Sequence, residues 1–462
     1  MYLRSLLSAL GLAAISCAVA VTPGAIDADM LQRLRDSYKP TAADKAIHNA
    51  LNTTDIRVLA ASADNRANFD NKFTYRVPSR GITDQKSSGR CWLFTGLNVL
   101  RAQAMMNNDD INNLKLSQVY NFFFDQLEKS NLFLQLIIDT ADKDADSREV
   151  QWIFKNALSD GGQFTGISDN LSKYGVVPDY AMPETYISEH TSTFSNLLGL
   201  KLKEWGLELR DMVARKASAK EIADRKEQML AETYRLLSLA YGTPPEKFTY
   251  TQRDASGAIT SQQEFTPQEF YNKYLGNDLK SDYVMFMNDP TRPYYQLYQI
   301  DQYRHAYDGK DWTYINLPME ELKEMAIASI KDSTMMYMSC DVGKFRNTAN
   351  NSLDLNNYDY DSLLGTTFGM DKRERILTGS SASSHAMTLA AVDIDPATGK
   401  PTKWLVENSW GDGPNGGHLV ITDPWLDEYL FRLVVDKKYI KPEILKIASQ
   451  KPVMLPPWDP MF

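Results

Sequence analysis

Two periods run through the apolar positions of this chain. At helical spacing, Leu93, Leu97, Leu100 and Ala104 share one face behind the polar turn Gln85-Lys86-Ser87-Ser88-Gly89-Arg90. That pattern predicts a helix from Cys91 to Asn107–Asn108. Leu116 to Ile138 is rich in aromatic and aliphatic residues and reads as a core helix. Leu198, Leu202, Trp205, Leu209 and Met212 form one stripe of a long amphipathic helix. Ser218-Ala219-Lys220-Glu221 is a capping box that opens a second, which stops before Gly242-Thr243-Pro244-Pro245. Shorter helical patterns cover Met30 to Tyr38, Asp44 to Leu51 and Pro318 to Asp332. The continuous apolar run Met335–Met338 predicts a buried strand leading to Cys340. Ser383–Val392 and Trp404–Gly411 predict two more, and the turn chemistry of Asp393 to Thr402, with Pro396 and Gly399, pairs them as a hairpin.

At 462 residues the chain is too long for one small core and fits two or three packed subdomains. Lys+Arg 50 against Asp+Glu 59 gives a formal charge of −9, and no basic block stands out, so a nucleic-acid role has no electrostatic footprint. Three cysteines, Cys17, Cys91 and Cys340, make no disulfide framework and no zinc-ligand spacing. Residues 1–20 read as an export signal: Arg4, an apolar run to Val19, and Ala18-Val19-Ala20 as a cleavage site. The run is too short to span a membrane. Ala14-Ile15-Ser16-Cys17 loosely matches a lipobox, but Ala14 is a poor first residue, so cleavage after Ala20 is the expectation, with a periplasmic or cell-surface protein as the outcome.

The chemistry concentrates at two places. Cys91 sits at a predicted helix N-terminus, where unsatisfied N–H groups and the positive dipole end favour thiolate. Gln85, six residues upstream, can fold back so that its amide and the Cys91 N–H form a two-donor oxyanion hole. The predicted hairpin brings Asn408 beside His385, fixing the ring and leaving its other nitrogen for Cys91, while Trp410 covers that hydrogen bond. His48, His190, His305 and His418 lie among charged or turn residues, where surface or structural roles are the default. Cys340, at the end of an apolar strand, reads as a packed, inert thiol. The implied reaction is acyl transfer, with no metal or organic cofactor.

Gln-x-x-Ser-Gly-Arg-Cys-Trp around Cys91, His385 on a strand and Asn408-Ser409-Trp410-Gly411 together resemble the papain-like cysteine peptidases, in detail their bleomycin hydrolase/aminopeptidase C branch. The resemblance runs from Met30 to Met461 and implies an α+β, papain-like two-lobed fold, a helical lobe plus a β-barrel-like lobe, with a helical insertion subdomain. The expected organisation is 21–80 as an N-terminal helical segment of the mature fold, 81–184 as the helical lobe, and 185–340 as the helical insertion and oligomerisation subdomain. Residues 341–454 follow as the β-rich lobe and 455–462 as a C-terminal arm. The resemblance further implies that Gly161 and Gly162 hydrogen-bond an extended peptide substrate, and that the chain self-associates as a homohexamer. It also implies an arm ending in Trp458-Asp459-Pro460-Met461 that enters the cleft and restricts cleavage to peptide N-termini. Phe462 stands where such arms continue, so the arm is expected to be about three residues, or roughly 10 Å, shorter. Two more substrate residues need about 7 Å, which suggests dipeptidyl release beside aminopeptidase action. The rival readings are a catalytically silent peptide-binding scaffold and an amidase or thiolactone hydrolase on the same site.

Overall fold

The computed structural model describes residues 22–461 apart from 66–69, 79, 108–110, 112–113, 254–255 and 277. The export segment 1–20 with Cys17, Asn108 at the predicted end of the Cys91 helix, and Phe462 lie outside the described residues. No helix among the described residues is long and apolar enough to cross a membrane.

The helical side is built around Gln118–Asp139, opened by Ser117, whose hydroxyl accepts from the Tyr120 N–H. This helix is buried on most of its circumference because the long helices Thr191–Ala214 and Ala219–Tyr241 pack on it, as does Phe164–Tyr174. Leu198, Leu202, Trp205, Leu209 and Met212 are all buried, so the predicted stripe is the packed face. The Ser218–Glu221 capping box forms, and Gly242 ends the second helix with a positive φ of 87°. Cys91–Asn107 is the helix between the two sides, lying against the strand that starts at His385.

That strand belongs to a sheet of twelve strands. Met336–Cys340 runs antiparallel between Leu430–Asp436 and His385–Ile394, with His385 opposite Cys340. On its other edge His385–Ile394 pairs with Pro401–Glu407 as the predicted hairpin, Thr388 opposite Glu407, and His418–Thr422 follows. All five residues of Met336–Cys340 are buried, which is why the segment reads as a continuous apolar run.

Within 185–340, expected as a helical subdomain, a two-stranded hairpin of Phe248–Arg253 and Ile259–Phe265 precedes the helix Pro267–Tyr274, and beyond it Met319–Lys331 forms the helix predicted from Pro318 to Asp332. Tyr283–Met287, Gln296–Ile300, Thr313–Asn316 and Met336–Cys340 all enter the large sheet. Runs of four or five residues carry too little periodicity to separate a sheet strand from a turn of helix. The C-terminal segment is also docked rather than free. Val453–Leu455 pairs parallel with Tyr298–Ile300. Residues 456–461 then turn back: Asp459 pairs with Arg292 at 3.0 Å, and the Met461 carbonyl accepts from Arg432 at 2.6 Å.

The turn before Cys91 is anchored by Arg90, whose side chain is wholly buried. Its Nη1 donates to both Glu184 oxygens at 3.0 and 2.8 Å, its Nε to the Ser88 hydroxyl at 3.0 Å, and its guanidinium lies over the Phe94 and Phe122 rings. Glu184 in turn accepts from the Val119 N–H and the Ser188 hydroxyl. The motif arginine is therefore a fastener between the Cys91 turn and the helical side. Glu184→Gln would leave that buried cation uncompensated, and we expect a loss of about 3 kcal/mol in denaturant unfolding. A change within experimental error would show that the pair does not hold the turn.

Candidate active site

The cleft between the helical side and the sheet is a cavity of about 630 Å³. Its lining includes Gln85, Cys91, Gly161, Gly162, His385 and Trp410. His385 Nε2 donates to Asn408 Oδ1 at 2.8 Å, and the same oxygen accepts from the Ser409 N–H at 2.8 Å, so the amide is fixed with its oxygen toward the ring. Nδ1 is left for the cleft. The Ala386 peptide N–H, next along from His385, lies within hydrogen-bonding reach of the Cys91 sulfur. Trp410 stacks on the imidazole at 4.7 Å and 27°, and the Arg346 guanidinium covers its ring at 4.2 Å. The His385–Asn408 bond is thus shielded from water.

The two halves of the site are stitched together by backbone. Gln85 N–H donates to the Ser409 carbonyl at 2.9 Å and Gly411 N–H to the Thr83 carbonyl at 3.0 Å, with Asp84 bridging to Trp410. Gly411 has a φ of +72°, and a Cβ there would lie 2.8 Å from the Asp84 carboxylate, so the glycine after Trp410 is required by backbone and space together. Gln85 is buried, and its Nε2 gives one hydrogen to the Ser88 carbonyl at 2.6 Å, leaving the other. Cys91 N–H is a first-turn orphan, with no backbone acceptor among the described residues.

Electrostatically the cleft opposes isolated charge. Burial pushes the Cys91 thiol up, while the peptide N–H groups of Ala386 and Trp92 pull the other way. Burial lowers His385 to about 4; the Asn408 hydrogen bond works against that shift and Arg346 adds to it. Moving one proton from sulfur to imidazole creates both charges side by side and leaves the net charge of the cleft unchanged. Neither group needs to ionise alone.

Residues 25–462 match the peptidase C1-like family. The chain belongs to that family. It is 39% identical over 400 residues to mouse bleomycin hydrolase, covering 84% of this chain and 88% of that protein. It is 34% identical over 439 residues to aminopeptidase C of Streptococcus thermophilus, covering 94% and 98%. The crystal structure of PepW from Lactobacillus rhamnosis superposes with a TM-score of 0.91 at 36% identity, covering 95% of this chain and 99% of that one. The fold is therefore the papain-like one, and the protein is a cysteine peptidase of that family.

The remaining histidines separate. His48 is on the surface; His190 stacks on Tyr186 at 4.2 Å; His418 is buried against the Asn415 and Gly416 carbonyls. Of the surface or structural default, His305 takes the structural side: it is buried in the cleft wall, with Nδ1 2.5 Å from Asp125. Cys340 is fully buried behind His385, and burial holds its thiol well above the usual range. Sequence reasoning passed over Asp125 and Lys129, which line up at i,i+4 on the helix Gln118–Asp139 and pair at 2.8 Å. Two opposite charges at that spacing inside an aromatic helix were the available signal.

Two outcomes test the pair. Asn408→Ala frees the imidazole to rotate, and kcat on a peptide substrate is expected to fall roughly 10²-fold with KM little changed; a fall confined to KM would mean the bond does not orient the base. His385 is lowered, so its neutral form persists above about pH 4 and is lost as pH drops through that value. The acid limb of kcat/KM is expected there, and a limb near the ordinary imidazole value of about 6.5 would contradict the burial account.

Proposed function

We propose that the protein is a cysteine aminopeptidase that takes peptides by their free amino termini. In this reading His385 Nδ1 accepts the Cys91 thiol proton as the sulfur attacks the scissile carbonyl carbon. The Cys91 N–H and the free Gln85 N–H stabilise the oxyanion. His385 then gives its proton to the leaving amine, and water, deprotonated by the same imidazole, hydrolyses the thioester to release the acyl product and restore the thiol.

The observation that carries the amino-terminal preference is the position of the chain's own C-terminal segment. Arg432 lines the cleft and holds the Met461 carbonyl, Met461 is almost fully buried, and Trp458 packs under Arg148 at 4.2 Å. A cleft with the chain's own backbone fixed at its wall favours a peptide end over a strand running through. The names of the relatives agree, since two of them are called aminopeptidase C and bleomycin hydrolase. Release of dipeptides is the finer form of the same proposal.

The test is hydrolysis of fluorogenic reporters bearing a free-amine aminoacyl group, a free-amine dipeptidyl group, or a blocked amine, by wild type and Cys91→Ala. The expected result is no turnover by Cys91→Ala and none of blocked reporters by wild type. Efficient cutting of blocked reporters would make the enzyme an endopeptidase. Aminoacyl reporters cut as fast as their dipeptidyl counterparts, or faster, would remove the dipeptidyl form.

A further inference from the structure

One wall of the cleft is the segment Ser159-Asp160-Gly161-Gly162, and a cluster of buried charge that no step above uses lies directly behind it. Lys129 Nζ meets Asp125 Oδ2 at 2.8 Å, the Ser159 carbonyl at 3.0 Å and the Gly161 carbonyl at 2.6 Å. An ammonium has three hydrogens, and all three are taken. Although Lys129 borders the cavity, it has no donor left for a substrate. Its work is on the chain itself.

The other Asp125 oxygen meets His305 Nδ1, and the imidazole stands edge-on to Trp92 at 4.8 Å and 78°. The ring fits only because positions 162 and 166 are glycine: a Cβ at 162 would come within 2.3 Å of His305 Cε1, and one at 166 within 2.2 Å of Nδ1. Trp92 donates from Nε1 to the Asp160 carbonyl at 3.0 Å, and Gln126 adds a second donor to Ser159 at 3.0 Å. Three consecutive carbonyls, 159, 160 and 161, are therefore engaged from the protein side. The Gly162 N–H and C=O have no protein partner among the described residues, and Gly162 borders the cavity. An unpaired donor and acceptor on a cleft wall are what the backbone of an extended peptide would pair with.

We propose that Lys129, backed by Asp125 and His305, is a positioning residue that clamps the Ser159–Gly161 carbonyls so that the Gly162 peptide is presented to the substrate backbone. The clamp rests on the peptidase reading above and specifies how that site holds its substrate. It acts on binding geometry, not on the Cys91–His385 proton transfer.

The experiment compares wild type, Lys129→Met, Lys129→Arg and the double variant Asp125→Asn/Lys129→Met on a free-amine peptide reporter, with rates per titrated Cys91. The double variant removes both buried charges together and so avoids stranding a carboxylate. Alkylation of Cys91 by iodoacetamide, a reagent too small to need the glycine wall, is followed in parallel. The expected result is a KM raised about tenfold or more in Lys129→Met and in the double variant. Lys129→Arg should recover most of that loss, and iodoacetamide rates should stay near wild type. Unchanged KM in the folded variants overturns the clamp, as does a parallel fall in peptide turnover and iodoacetamide rate, which would mean damage reaching Cys91. If Lys129→Met does not fold, the double variant decides by the same criteria. Wild type that cuts no peptide overturns the peptidase reading and the clamp with it, whereas peptide cleavage untouched by the variants overturns the clamp alone.

Discussion

Two backbone hydrogen bonds between residues 83–85 and 409–411 are what the rest of the site depends on. Gln85 N–H to Ser409 and Gly411 N–H to Thr83 lock the approach to the Cys91 helix against the end of the strand that carries Asn408. A helix start and a strand end come from distant parts of the chain, and side-chain packing alone would leave them free to slide. Backbone pairing sets their spacing in fixed steps. Thr83 Oγ1 adds a link to the Ser409 hydroxyl and accepts from Asn98 of the Cys91 helix, so the stitch is tied to that helix as well. With it in place, Gln85 has nowhere to go except the cleft edge, and Trp410 is laid over His385.

The same enclosure sets the electrostatics. A buried thiol and a buried imidazole each resist charge, shown by the upward push on Cys91 and the downward push on His385. Proton transfer between them escapes this resistance because the charges arise as a pair. The peptide dipoles that converge on the sulfur from Trp92 and Ala386 favour the thiolate member of that pair without adding a titrating group to the cleft. Among the described residues lining the cavity there is no carboxylate side chain.

How much of this could be read from the sequence follows from how local each feature is. The Cys91 helix, the amphipathic stripe from Leu198 to Met212 and the His385 hairpin rest on periodicity and turn chemistry within about a dozen residues, and they form as predicted. The pairing of His385 with Asn408 was legible for the same reason, since a hairpin turns a spacing into a contact. The strands between Tyr283 and Asn316 were not, because four- and five-residue runs take their state from the sheet they join. His305 sits among charged or turn residues, where a surface and a structural role are equally the default. Its burial comes from Gly162 and Gly166, more than a hundred residues away, which vacate the space it fills. No local pattern encodes a vacancy.

The charges behind the glycine wall are therefore better explained by geometry than by stability. A carboxylate, an ammonium and an imidazole withdrawn from water seldom hold a fold together better than apolar residues of the same size. Burial and the Lys129 cation both lower His305, so the ring stays neutral, while Lys129 and His305 keep Asp125 ionised against its own burial. What such a cluster supplies that leucines could not is direction: Asp125 holds the ammonium, and the other two Lys129 hydrogens go to carbonyls of the cleft wall. An apolar replacement could fill the volume and still leave Gly161 free to turn its carbonyl into the cleft, with Gln126 alone holding Ser159. The clamp prevents that rotation.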